Sequence, residues 1–324
     1  MNLQQIHQLG TEMGIKNDFR SKSRIDKLLK RQREKYDKLS KDEKEIFDKE
    51  KLTNPFLDSR IHFDNGVKNI KRVMAGVDAD SAELMVARYL SNHNPKAPVD
   101  AFIGHHPVGM SLAALDDVMH LQADVMAQYG VPINVAESLM KIRISEVSRG
   151  VNPANHFKVV RTAELLNLSL INVHTPCDNL VAKFVEAKLT KDKPEYVGEV
   201  LKSLLEIPEY KEAAKQGVGP RLFTGAEDNR AGKIALTELT GGTEGSPKMF
   251  EKLSQAGVGT IIGMHMSEEH RKEAEKAHLN VVIAGHISSD SIGMNLFLDE
   301  LEKKGIEIIP CSGLIRVSRN KKRR

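Results

Sequence analysis

The 324-residue sequence predicts an α/β fold of mixed, largely parallel sheets flanked by helices, built as two linked lobes with an N-terminal helical extension. Two textures carry that prediction. Before residue 65, apolar residues step by three and four through dense charge, which is a helical period. From about residue 67, short apolar runs alternate with amphipathic segments of ten or more residues. Alternation on that scale builds βαβ units and parallel strands. The expected parts are 1–65 for the extension, 66–192 for a first α/β lobe, 193–320 for a second α/β portion and 316–324 for a basic tail. A soft boundary falls at "TKDKPE", near 190–195.

In the extension, Ile25, Leu28, Leu29, Gln32, Tyr36 and Leu39 form one narrow stripe, suited to packing on the body or on a neighbouring subunit. "SKDE" at 40–43 reads as a capping box, with Ser40 accepting from first-turn amides and Glu43 reaching back. "TNPF" at 53–56 stops that helix, because Pro55 disfavours the helical state of Asn54. Strands are expected at 70–77, 99–103, 131–135, 168–173, 233–239, 258–263, 279–284 and 305–309, each a short apolar run. Helices are expected at 81–92, 112–129, 155–166, 178–189, 194–205, 247–255, 267–277 and 290–304, where the apolar residues take a helical period.

Composition narrows the function classes. No apolar run approaches the roughly 18 residues of a membrane span, and the first residues carry no signal-peptide pattern. Cys177 and Cys311 are the only cysteines, so no disulfide framework is expected and cytoplasmic residence is. Aromatic content is 5% and tryptophan is absent, which argues against a stacking surface for single-stranded nucleic acid. The net charge of +4 belongs to the ends. Residues 20–51 carry 13 Lys/Arg against 8 Asp/Glu, and 316–324 carries six Lys/Arg and no acid. Solvated ends are the plain reading; arms that dock a nucleic acid or a protein are the sharper one.

Three strand ends carry chemistry. "AFIG" runs into His105, His106 and Pro107. "LINV" runs into His174, with Asp178 four residues on. "VVIAG" runs into His286, with Asp290 four residues on. In open α/β sheets, ligands collect beyond the carboxyl ends of strands. A residue and its i+4 neighbour share a helix face, so each histidine and its aspartate face one point. At a kinked strand end, His105 and His106 can reach two different ions. A histidine and carboxylate set suits Zn, Fe, Mn, Co or Ni and does not choose among them.

"RVMAGVDADSAE", "AFIGHHPVG", "INVHTPCDN" and "VVIAGHISSDSIG", in that order, resemble the Ngg-interacting-factor-three-like family, also labelled GTP cyclohydrolase I type 2 homologs. The resemblance runs from about 70 to 317 and is poor over roughly 110–165 and 190–257. It implies a dinuclear metal site of His105, His106, Asp178, His286 and Asp290, and a ring-shaped homo-hexamer. The family's last ligand is a glutamate; Asp290 is one methylene shorter, which puts the grip on a second ion in question. His174 maps to a position that either supports the ligands from outside or faces substrate.

Two divalent metal ions per chain would activate water and polarise a carbonyl or phosphoryl oxygen, so hydrolysis of a small, nucleotide-like substrate is the class implied. His174 and His265 are the candidates for catalytic proton transfer, since imidazole titrates near neutrality. A dinuclear phosphoesterase and a non-catalytic regulatory or scaffold protein are the alternatives. Of the remaining residues, Cys177 reads as small and buried, and Glu137 as an N-terminal helix charge. Asp78 reads as an orienter of a ligand histidine or a helix cap, and "GGTEGSP" at 241–247 as a flexible connector.

Overall fold

The computed structural model describes residues 1–320 and arranges them around two mixed sheets. The first has the order β1 (Ile61–Phe63), β4 (Ser169–Asn172), β3 (Ala101–Gly104), β2 (Arg72–Gly76) and β9 (Glu307–Cys311). All its pairs are parallel except β1 with β4. The second has the order β5 (Arg221–Thr224), β8 (Asn280–Ile283), β7 (Val258–Gly263) and β6 (Lys233–Glu238), with β5 alone antiparallel. The central strands β2, β3, β4, β7 and β8 are mostly buried and rich in Val, Ile and Ala, as strands covered on both faces must be, while β9 is a half-exposed edge.

Two helices lie between the sheets. Thr175–Asp192 follows β4, and His286–Lys303 follows β8. Cys177 and Leu180 of the former and Phe297, Leu298 and Leu301 of the latter pack in the core of the first sheet. Val181, Val185 and Leu189, with Ile292, pack in the core of the second. A helix apolar on all sides belongs in such a place. The two touch closely: a Cβ added at Gly293 would lie within 2.8 Å of the Cys177 carbonyl carbon. The outer face of the first sheet is covered by helices Ser81–His93 and Lys158–Leu166, and that of the second by His120–Gln128, Ile133–Val151, Met249–Gln255 and Glu268–Lys276.

The N-terminal residues are helical, as expected. Helix Leu3–Lys16 buries Leu3 and Ile6 against the first core, and Gly14 lets it settle on Pro176, where a Cβ would meet a carbon at 2.7 Å. Helix Lys22–Asp37 buries only Ile25. The capping box at Ser40 and Glu43 forms, with Ser40 N donating to Glu43 at 2.8 Å and Glu43 N donating to Ser40 Oγ at 3.3 Å. Its basic residues are partly matched within the fold, Arg24 by Asp124 and Lys51 by Asp117.

Several elements correct the sequence reading. The strand expected at 131–135 is the start of helix Ile133–Val151. Its β-branched run suggests a strand, but Ala136, Met140 and Val147 recur at helical spacing and bury one face, and that tertiary burial prevails over local propensity. The helix expected at 112–129 is three short ones: Gly109–Ala113, Leu115–Val118 and His120–Gln128. Edge strands β1 and β5 and helix Pro208–Lys215 were not anticipated. Strand β9 returns to the first sheet and lies beside β2, so the second sheet is formed between two visits to the first.

Candidate metal centre

Turns at the carboxyl ends of β3, β4 and β8 build the site. After β3, the amides of His105 and His106 donate to the carbonyls of Gly76 and Val77 at 2.9 to 3.1 Å, which folds the HHP turn over the end of β2. After β4 and β8, the chain enters a helix at once, at Thr175 and His286. Gly285 makes the second entry with φ 107, a conformation that favours glycine.

Three imidazoles are oriented from behind. His105 Nδ1 donates to the Val173 carbonyl at 3.0 Å, His106 Nδ1 to Asp78 Oδ1 at 2.7 Å, and His174 Nδ1 to Asp58 Oδ2 at 2.7 Å. An acceptor-only partner holds a proton on Nδ1 and leaves the Nε2 lone pair for the other side. Those Nε2 atoms face inward. His105 Nε2 is 3.4 Å from Asp178 Oδ1 and 3.4 Å from Asp290 Oδ1. His106 Nε2 is 3.3 Å from Asp290 Oδ2 and 3.3 Å from His286 Nε2. His286 Nε2 is 3.5 Å from Asp290 Oδ2, and His174 Nε2 is 3.9 Å from Asp178 Oδ2.

His105 Nε2, Asp178 Oδ1 and both oxygens of Asp290 are buried without a hydrogen-bond partner. Buried acceptors set against one another repel unless a cation or a proton lies between them. Their ligand atoms form overlapping groups within 4.8 Å: His105 with Asp178 and Asp290, His106 with His286 and Asp290, and His105 with His106 and His174. Imidazole nitrogen with carboxylate oxygen is the donor set of a divalent transition metal, so the residues fit one.

The ion-free electrostatics agree. Burial pushes His105 down, but the charge of Asp290 and the close approach of the Asp178 and Asp290 carboxylates override it and hold the imidazole well above its usual range. Burial pushes Asp290 up, yet the neighbouring histidines hold it far below the usual carboxylate range. The shift of His105 thus favours positive charge beside Asp290.

The structure brings all five expected ligand residues together. His174 stands beside them, backed by Asp58. His265 lies further along, its ring 4.9 Å from that of His286 and its Nδ1 3.2 Å from Glu244 Oε1. Burial lowers His265, but Glu244 and the charge of Glu238 raise it above the usual imidazole range. Asp78 orients His106, while Asp80 caps helix Ser81–His93. Cys177 is buried with Sγ 3.7 Å from Met294 Sδ. Glu137 is exposed on helix Ile133–Val151 and does not line the site.

One further reading needs correction. "GGTEGSP" is a wall of the site. Gln122 Nε2 donates to the carbonyls of Gly241, at 2.9 Å, and Thr243, and Gly242 and Thr243 line the pocket above Asp178 and Asp290. Glycine content marked a turn but not what the turn encloses. Asp58 and Glu238 were not anticipated. Asp58 sits 116 positions from His174 in "FLDSR", where no periodicity or spacing marks it. Burial raises Glu238, which lines the same pocket.

Fold and site together define a mixed α/β protein with a histidine and aspartate cluster at its strand ends that could hold metal. One solved structure similar to this chain is a NIF3 superfamily protein, which supports the NIF3-like family. A NIF3 superfamily protein from Sphaerobacter thermophilus is 27% identical, covering 80% of this chain and 92% of its own, with a TM-score of 0.70. Reduced HcgD from Methanocaldococcus jannaschii is 17% identical over 77% of this chain and 87% of its own, with a TM-score of 0.47. A Bacillus cereus protein related to NIF3 is 10% identical over 82% and 92%, with a TM-score of 0.43. No family model and no curated protein matches the chain.

Proposed function

We propose that His105, His106, Asp178, His286 and Asp290 hold two divalent metal ions and that the protein is a metal-dependent hydrolase of a small, nucleotide-like molecule. The observation that supports this reading most is Asp290. Its Oδ1 faces His105 and its Oδ2 faces His106 and His286, and neither oxygen has a hydrogen-bond partner. One carboxylate thus addresses two ligand groups. The shorter aspartate is matched by the close approach of its helix to Thr175–Asp192 at Gly293.

When bound, such ions polarise an oxygen of the substrate and activate water. The chain's own groups do the rest. Asp58, Asp78 and the Val173 carbonyl keep protons on the Nδ1 atoms. His174 and His265 stand at the pocket in positions to accept or return a proton. The exposed apolar residues Met85, Val86 and Tyr89 on helix Ser81–His93 support association into a homo-oligomer, the hexamer implied by resemblance. The free Cys177 and Cys311 support a cytoplasmic setting. Among the described residues, no helix is long and apolar enough to cross a membrane.

Elemental analysis of freshly purified and reconstituted protein tests the site, with two ions per chain expected and a value well below one refuting it. Metal-loaded protein is then assayed on nucleotides, phosphodiesters and cyclic amides. Turnover lost in His105→Ala with the fold retained supports the hydrolase. Metal without turnover on any of them would favour a regulatory or scaffold role.

A further inference from the structure

The pocket at the metal centre has a volume of about 30 Å³. That is room for one or two waters or a single small group. A small-molecule site ordinarily needs about 300 Å³ or more. The body of any substrate therefore lies elsewhere. A second cleft, of about 330 Å³, opens beside the first and shares Met264, His265 and His286 with it.

The edge strand β5 supplies one wall of this cleft. Arg221 and Phe223 are exposed, while Leu222 and Thr224 between and after them turn inward, so Arg221 and Phe223 share a face. Arg221 lies opposite Ile283 in the ladder, and Ile283 stands three residues before His286. The Gly217–Gly219 turn closes one side, near enough that a Cβ on Gly285 would sit 2.9 Å from the Val218 carbonyl. Phe223 is 41% and Val218 62% exposed, and with half-buried Met266 and the buried Met264 at its floor they make an apolar lining. Arg221 contributes the cleft's one guanidinium. It donates from Nη2 to the Gly217 carbonyl, and among the described residues it has no carboxylate partner. Its other N–H donors are available to an anion.

We infer that this cleft seats the body of the substrate, a small molecule with one phosphate or carboxylate group and a flat apolar ring. The anion pairs with Arg221. The ring packs on Phe223 and the thioethers of Met264 and Met266, a contact that sulfur favours. The reacting bond then reaches the metal pocket past His265 and His286. That last clause rests on the hydrolase reading; binding in the cleft does not.

Isothermal titration of the full chain, metal-loaded and chelated, with phenyl phosphate and benzoate tests the inference. Inorganic phosphate and benzyl alcohol serve as probes that lack the ring or the charge. At least one two-part probe should bind, with each half-probe about tenfold weaker or worse. The stronger of phenyl phosphate and benzoate identifies the anion. Arg221→Gln should weaken binding by about tenfold or more, Arg221→Lys should restore part of it, and Phe223→Ala should weaken it severalfold. Both positions are exposed, so metal content and circular dichroism should not change. Equal binding by wild type and Arg221→Gln, or no binding of either two-part probe, overturns the inference. Arg221-dependent binding in a protein that takes up no metal would uphold the cleft and remove the metal reading. Full metal content with Arg221-independent binding would do the reverse.

Discussion

Nε2 of His105 lies 3.4 Å from Oδ1 of Asp290, both atoms are buried, and neither has a hydrogen-bond partner. A lone pair facing a carboxylate is unfavourable unless positive charge joins them. The pair therefore couples cation binding to stability.

Loading the chelated protein with Zn or Mn should raise its Tm. At one hundred times Kd, binding to the folded state alone adds about 2.7 kcal/mol. That corresponds to roughly 4 °C in a chain of this size. In Asp290→Asn the rise should fall below half, because the amide carries no charge and offers one oxygen where the carboxylate offered one to each ligand group. Differential scanning calorimetry decides it, and an undiminished rise in the variant would count against Asp290 as a ligand.

Gly293 should be intolerant of substitution. In Gly293→Ala the new methyl would press on the Cys177 backbone, and a carbonyl cannot rotate away as a side-chain tip can. Forced overpacking of this kind costs about 1–3 kcal/mol. The helix carrying Asp290 would be pushed from the helix carrying Asp178, so metal content should drop along with stability. Urea unfolding and elemental analysis of one preparation measure both. A variant with wild-type values for the two would show that the helices are not held at contact.

Acid should weaken the fold through His62. Burial lowers this imidazole to about 4 from an ordinary 6.5, against the opposing bond to Asn172 Oδ1 at 2.8 Å. Between those values the unfolded chain takes up a proton that the folded chain refuses. The contribution is whole above pH 6.5 and is lost as pH falls towards 4, by at most about 3 kcal/mol. His62→Gln, which keeps a donor for Asn172, should flatten the dependence of the urea midpoint on pH across that window. Parallel curves for wild type and variant would refute the assignment.

The site was legible where it is local. His105, His106, Asp178, His286 and Asp290 sit in three turns with the same strand-to-helix setting, so spacing and position announce them together. Asp78 was legible because it ends β2 beside the HHP turn. Asp58 was not, because only tertiary folding brings it behind His174. The same division holds in the fold. Buried strands such as β2, β3, β7 and β8 show as apolar runs, whereas β1 and β5 are half-exposed edges. At 131–135, side-chain branching suggests a strand, and burial of Ala136 and Met140 decides for a helix.

Strand β9 pairs with β2, so residues 72–76 and 307–311 bracket every ligand-bearing turn. A growing polypeptide that has not yet reached His286 displays two neighbouring imidazoles and one carboxylate with nothing to close upon. On the proposed reading, cation capture is a late event in the life of the chain, completed only after most of it has been synthesised.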